Sequence, residues 1–151
     1  MNKDEYYMNL SLKEAEKAYK RGEVPVGTII VYQDKIVSRG YNLREKNHDI
    51  TRHAELIAIK KASRKIHDWR LENMTMYVTL FPCPMCASAI LQSRIKRLVI
   101  GAPTRDEKNK EIVYKILEGN NTSAKVEVVD SVLEDDCKEI LSKFFKERRI
   151  S

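Results

Sequence analysis

The sequence predicts an α/β fold, a sheet of about five strands covered by helices. Three observations lead there. Segments with helical apolar spacing alternate with short β-branched runs in the order α-β-β-α-β-α-β-α-β-α. No repeat, low-complexity linker or domain boundary interrupts that order. The 151 residues suit one domain, residues 1–151, long enough to bury a core without covalent staples.

Each element has its own warrant. Met8, Leu12, Ala15 and Tyr19 recur at helical spacing, which predicts an amphipathic helix over 4–21 closed by Gly22. The stretch "GTIIVYQDKIVSRGYN" reads as a hairpin, with Gln33-Asp34-Lys35 as its turn. Residues 53–64 read as a fully buried helix that begins with an imidazole and a carboxylate. "MTMYVTLF" is a buried strand, and "PMCASAILQS" a helix with Pro84 at its start, where a missing N–H is harmless. "RLVIGA" is a strand, "KEIVYKILEG" a helix and "KVEVVD" a strand. A closing helix over 132–149 sets Leu133, Cys137, Ile140, Leu141 and Phe144 on one face.

Composition excludes several classes. Hydrophobic residues make up 42%, normal for a globular protein, and no run approaches the ~20 apolar residues of a membrane span. The N-terminus "MNKDEYYMNL" lacks a signal-peptide core. Cys83, Cys86 and Cys137 are an odd set, which argues against a disulfide framework and for a reducing, cytoplasmic setting. The net charge of +6 favours a polyanionic partner, although excess Lys and Arg often only solvates a surface.

Two polar islands carry the chemistry. Cys83 and Cys86, i and i+3 at a helix start, can aim both sulfurs at one point, and the helix N-terminus favours their thiolates. With His53 from another helix they form a three-ligand set for a tetrahedral zinc whose fourth position stays open. Water bound there ionises near neutral pH. Glu55, two residues from His53 and so turned about 200° away on a helix, is placed to shuttle protons rather than to bind the metal. Taken singly, these residues have ordinary readings: a cap, a carboxylate suited to the helix dipole, a thioredoxin-like redox pair. Their combination, His-x-Glu opening one helix and Pro-Cys-x-x-Cys opening the next after a strand, points to a catalytic zinc.

That pattern resembles the zinc-dependent cytidine and adenosine deaminases. Over roughly residues 5–149, "GEVPVGTIIV", "GYNLRE", "HAE", "WRLENMTMYVTL", "PCPMCASAI", "SRIKRLVIGAP" and "LEDDCKEILSKFFKERR" are similar to the bacterial tRNA-specific adenosine deaminases. The resemblance implies a cytidine-deaminase-like three-layer α/β/α domain with a mixed sheet. It implies one Zn2+ per chain on His53, Cys83 and Cys86, with Glu55 carrying protons as zinc-bound hydroxide attacks C6 of an adenosine at the tRNA wobble position. Asn42 would bind the flipped base, and the Ala54 N–H would steady the attacked centre. Phe144, Phe145, Arg148 and Arg149 would grip the anticodon loop of tRNA, although Phe144 reads equally as core. The family is homodimeric.

The chain also departs from the family pattern. Phe81 stands where Glu is usual before Pro-Cys, and Arg52 where a small residue is usual before His. Thr104 stands where Asp is usual, near the target sugar, and the glycines usual after it are absent. Two alternatives follow: a paralogue acting on a free nucleobase or nucleoside of guanine or cytosine type, or a non-catalytic RNA-binding relative.

Overall fold

Asn2 opens the first helix with a capping box: its side chain accepts from the Glu5 N–H at 2.9 Å, and the Glu5 carboxylate accepts from the Asn2 N–H. The structure is a computed structural model describing residues 1–119 and 125–150, excluding the side chains of residues 149 and 150. The elements are α1 (Lys3–Lys20), β1 (Gly27–Tyr32), β2 (Lys35–Tyr41), α2 (Arg44–Asn47), α3 (Ala54–Ile66), β3 (Thr75–Leu80), α4 (Pro84–Gln92), β4 (Arg97–Ala102), α5 (Glu107–Glu118), β5 (Glu127–Val129) and α6 (Glu134–Ile150).

The five strands form one mixed sheet in the order β2-β1-β3-β4-β5. β1 runs antiparallel to β2 and β3, whereas β3–β4 and β4–β5 are parallel. The parallel pairs need crossovers, and α4 and α5 supply them. Period-two alternation divides the strands between two cores. Ile30, Met76, Val78, Leu98 and Ile100 pack with Ala54, Ala58, Ala87, Ile90 and Val113 of α3, α4 and α5. Ile29, Val31, Tyr77 and Val99 pack with Tyr7, Met8 and Cys137 of α1 and α6. The three-layer α/β/α arrangement follows.

Several boundaries differ from the sequence reading, for local reasons. The hairpin turn has two residues, not three. Gln33 and Asp34 take the positive φ angles, 49° and 61°, that match the twist of the flanking strands, and Lys35 already belongs to β2. The short helix α2 has no apolar periodicity to announce it. The closing helix starts at Glu134, because Ser131 and Leu133 take positive φ angles of 61° and 53°. α3 is not fully buried. Ala54, Ala58 and Ala62 form a buried stripe at i, i+4 and i+8, while Lys60, Lys61 and Arg64 are exposed.

Small residues set the distance between α3 and the sheet. A Cβ on Gly40 of β2 would lie 2.4 Å from the Ala54 carbonyl oxygen and 3.0 Å from the Ala58 nitrogen. Strand and helix backbones therefore touch, and the Ser38 hydroxyl donates to the Ala58 carbonyl at 2.7 Å. On the opposite face Asp4 of α1 accepts from both terminal nitrogens of Arg97 on β4, at 2.8 and 2.6 Å, and from the Tyr77 hydroxyl at 2.9 Å.

Two stability predictions follow. Gly40→Ala forces α3 off β2. It should destabilise by about 1–3 kcal/mol, roughly 3–10 °C in Tm for a chain of this size, as read by thermal melting. An unchanged Tm would show that the contact is not limiting. The Arg97 guanidinium, helped by the Tyr77 hydroxyl and opposed by burial, holds the Asp4 carboxyl below its ordinary 3.8. A depressed acid contributes stability that is present above its unfolded pKa and lost as pH falls through the folded value. Asp4→Asn should therefore lower stability near neutral pH, on the order of 1 kcal/mol after solvent screening. The gap from wild type should close as the pH falls below about 4. A gap independent of pH would exclude this ion pair as its source.

Candidate metal centre and active-site cavity

The ends of two helices meet at one point. His53 is the residue before α3, with extended φ and ψ of −77° and 150°. Cys83 holds the same position before α4, at −79° and 168°, with Pro84 as the first helical residue. This corrects the sequence reading, which put both His53 and Glu55 on a helical first turn. The extended backbone at His53, rather than a 200° helical rotation, separates the two side chains. The pairing of Cys83 with Cys86 is likewise a cap residue with the third residue of its helix.

The ligand atoms converge. The His53 Nδ1 lies 3.7 Å from the Cys83 Sγ and 3.5 Å from the Cys86 Sγ, and all three ligand atoms fall within 4.8 Å of one another. A tetrahedral zinc with Zn–S near 2.3 Å and Zn–N near 2.0 Å requires S···N separations of about 3.5 Å. The donor set and its spacing fit zinc. Among the described residues this is the one group of three or more His, Cys, Asp or Glu side chains close enough to hold a metal. The thiols share charge between them. The Cys86 hydrogen bond, then His53, hold the Cys83 thiol down at about 4, while that same hydrogen bond and burial push Cys86 up. Cys137 is buried on α6 against β4, its thiol pushed up to about 12 by burial, as befits a core residue.

Glu55 is buried beside this cluster, close enough for Cys83 and His53 to act on its carboxyl. Burial, reinforced by the Cys83 charge and opposed by its own backbone N–H and by His53, raises it from 4.5 to about 7. A carboxyl in that range can take up and release a proton near neutrality. His53, Glu55 and Cys83 line a cavity of about 180 Å³ whose other walls include Asn42, Val24, Val26, Leu80 and Phe81. The cavity sits past the C-terminal end of β3, where open α/β sheets place their ligands.

The remaining expected residues are distributed unevenly. Asn42 lines the cavity, but its amide also braces it: Oδ1 accepts from the Ala54 N–H at 2.8 Å, and Nδ2 donates to the Val24 carbonyl at 3.1 Å. The Ala54 N–H, expected at the reacting centre, is thus directed at Asn42. Thr104 is not part of the cavity wall, and its hydroxyl accepts from the Asp106 N–H at 3.2 Å before α5. Phe144 is buried, its ring 6.1 Å from Tyr19 and 5.3 Å from Phe145. It resolves to the core reading, because its face of α6 turns toward α1. Phe145 is exposed. Arg148 folds back, its guanidinium 4.9 Å from the Phe144 ring and donating to the Gly22 carbonyl. The Arg149 side chain lies outside the described residues.

Several wall residues escaped the sequence reading, among them Val24, Val26, Arg44 and Leu80, and Glu23 matters most. Glu23 is buried, lines the cavity, and accepts from the N–H groups of Glu45 and Lys46 at 3.0 and 2.7 Å. It thereby fixes α2 over the mouth. A lone acidic residue after Gly22 gives no periodic signal, and its partners are more than twenty residues away.

Comparisons with known proteins agree with this geometry. Residues 1–102 match the cytidine and deoxycytidylate deaminase zinc-binding region. The chain is 45% identical over 148 residues to a tRNA-specific adenosine deaminase of Buchnera aphidicola, covering 98% of this chain and 97% of that one. It is 42% identical over 149 residues to a tRNA-specific adenosine deaminase of Bacillus subtilis, covering 99% and 92%. A solved structure from work on A-to-I editing by tRNA:A34 deaminases at the wobble position superposes with a TM-score of 0.82 at 32% identity, covering 90% of this chain and 99% of that one.

Elemental analysis of the purified protein should find about one zinc per chain, and Cys83→Ala or Cys86→Ala should bring it close to zero. Stripping zinc with a chelator should lower Tm, since the ion ties the starts of α3 and α4 together. Full zinc content in both variants would refute this ligand set.

Proposed function

Because the chain belongs to the zinc-binding cytidine and deoxycytidylate deaminases, and within them to the tRNA-specific adenosine deaminases, we propose how its residues carry out that reaction. The protein is a hydrolytic deaminase that turns adenosine into inosine at the wobble position of tRNA. The observation that carries the reading is the convergence of three metal-ligand atoms beside a buried carboxyl at the wall of one small cavity.

His53, Cys83 and Cys86 hold the zinc. Zinc in a site with three protein ligands supplies a Lewis acid that makes water a competent nucleophile at neutral pH. Glu55 accepts the proton that the attacking water loses and passes it to N1 of the adenine, as the oxygen bonds to C6 and the C6–N1 π pair moves onto N1. It then carries the remaining hydroxyl proton to the exocyclic nitrogen, the C6–N bond breaks, the C6 carbonyl forms, and ammonia leaves. Water and adenosine become inosine and ammonia, and Glu55 ends as it began. The raised Glu55 pKa suits both transfers, since neither protonation state is strongly preferred near pH 7.

The cavity, about 180 Å³, is smaller than pockets that enclose a whole drug-sized ligand, roughly 300–1,000 Å³. It suits a flipped base whose sugar and phosphates stay outside. Val24, Val26, Leu80 and Phe81 supply apolar walls, and Asn42 supplies the polar contact. Phe145, exposed on α6, offers its ring for stacking on the anticodon loop, and Arg148 adds positive charge beside it for the phosphates. The enzyme works as a homodimer in the cytoplasm, with residues 1–151 as a single domain. The free-base and non-catalytic readings are not favoured. Retention of Glu55 beside a complete ligand set speaks against a binding module, and identity of 42–45% along nearly the full chain speaks against a free-base paralogue.

Incubation with unmodified tRNA should yield inosine at position 34 of the substrate, while free adenine and guanine release no ammonia. The reverse result would overturn the substrate. Glu55→Gln should lower kcat by 10²-fold or more, since a general acid–base is worth roughly 10²–10⁴. It should retain zinc and bind tRNA, because the variant keeps the side-chain shape and leaves the ligands untouched. Turnover at the wild-type rate would remove Glu55 from the mechanism.

A further inference from the structure

A second groove lies back to back with the active-site cavity. It has a volume of about 240 Å³ and is lined by Tyr41, Leu43, Ile57 and the four cations Arg52, Lys60, Lys61 and Arg64. Two short segments form the partition. Asn42 faces the cavity while Tyr41 and Leu43 face the groove, as alternation along extended chain dictates. His53 faces the cavity while Arg52 faces the groove, and the Leu43 N–H donates to the Arg52 carbonyl at 3.0 Å, joining the two segments.

The groove has an unbalanced charge. No carboxylate lines it, and none of its four cations makes an ion pair among the described residues, although the Asp49 carboxylate outside the groove is attracted to Arg52 and Lys60. The Arg52 Nε is buried without a hydrogen-bond partner. A buried guanidinium donor left unmatched is costly, and four unpaired cations around one concavity repel one another. An anion with several acceptor oxygens relieves both, and the guanidinium fork suits phosphate in particular.

Lys60 and Arg64 also border a neighbouring surface. There Trp69, 52% exposed, has the Arg70 and Arg94 guanidiniums 4.7 and 5.7 Å from its ring. Asp68 also borders that surface and pairs with Arg70 at 3.0 Å, which leaves Lys60, Arg64 and Arg94 as its cations without an ion pair among the described residues. A cationic groove that continues past an exposed tryptophan matches a nucleic-acid strand better than a free anion. We infer that the groove of Arg52, Lys60, Lys61 and Arg64 is a phosphate subsite that grips the substrate's sugar-phosphate backbone beside the flipped nucleotide. The inference rests on the tRNA reading of the adjoining cavity. It adds a positioning role for Arg52, which holds the strand next to the ligand His53 without touching the reacting atoms.

The test measures tRNA binding across a salt series in the Glu55→Gln protein, where turnover does not intervene. Arg52→Ala, Lys61→Ala and Arg64→Ala are added singly, with zinc content as the control for folding. Each should weaken binding roughly tenfold at low salt and flatten the slope of log K against log salt by about one. Arg52→Lys should restore the slope but not the full affinity, since it returns the charge without the fork. On the active enzyme the same three substitutions should raise KM for tRNA.

Slopes unchanged in all three variants, with zinc retained, would overturn the subsite. So would a fall in kcat alone, which would make Arg52 a support for His53. Stabilisation of the protein by inorganic phosphate, with tRNA slopes unchanged, would assign the groove to a free anion and likewise overturn it. The two readings fail separately. A wild type that edits tRNA with slopes insensitive to the groove loses only the subsite. Flattened slopes in a protein that leaves tRNA unedited support the subsite and remove the wobble adenosine from the cavity.

Discussion

The molecule is organised around the meeting of two helix N-termini. α3 and α4 start from extended cap residues, His53 and Cys83, and everything catalytic lies within one turn of those caps. Two thiolates and an imidazole do not gather by themselves, because like charges repel and each loses solvent on burial. The N-terminal ends of both helices offset part of that, since their partial positive charge favours thiolate and carboxylate alike. Zinc offsets the rest and in turn pins the two caps together.

The sheet makes the meeting possible. β3 delivers Leu80 and Phe81 to the cavity wall, and α4 begins immediately afterwards, so Cys83 and Cys86 inherit their position from a buried strand. α3 approaches from the other side across β2. Backbone contact at Gly40 and the alanine stripe fix its height, and a side chain at Gly40 would lift His53 and Glu55 together. The close packing of the layers around Glu55 keeps water out, and that burial is what raises its carboxyl above the ordinary range.

Charge is partitioned by depth. The net +6 does not surround the reacting centre, whose cavity includes Glu23, Glu45 and Glu55 against Arg44. The cations Lys60, Lys61 and Arg64 of α3 line the outer groove instead, together with Arg52, one residue before His53 along the chain. A strand of negative phosphates is thus attracted to the rim while the base enters a pocket that carries little excess positive charge.

The sequence determined the fold class and the chemistry by short-range means. Period-two and period-3.6 patterns announced all five strands and the five long helices, because burial on one face imposes those spacings locally. The grouping of His53, Cys83 and Cys86 was legible because zinc ligands occur in few spacings, and the place of Glu55 beside them was legible from its position two residues after His53. Their geometric basis was not: the extended caps at His53 and Cys83 are set by packing of whole helices on the sheet. The burial of Phe144, the bracing of Ala54 by Asn42 and the capping of α2 by Glu23 all join residues distant in sequence. So does the groove, since Arg52 reads alone as a departure before the histidine, and only the tertiary structure puts Lys61 and Arg64 beside it. Side-chain identity fixes what a residue can do, and the partners it meets across the fold decide which of those things it does.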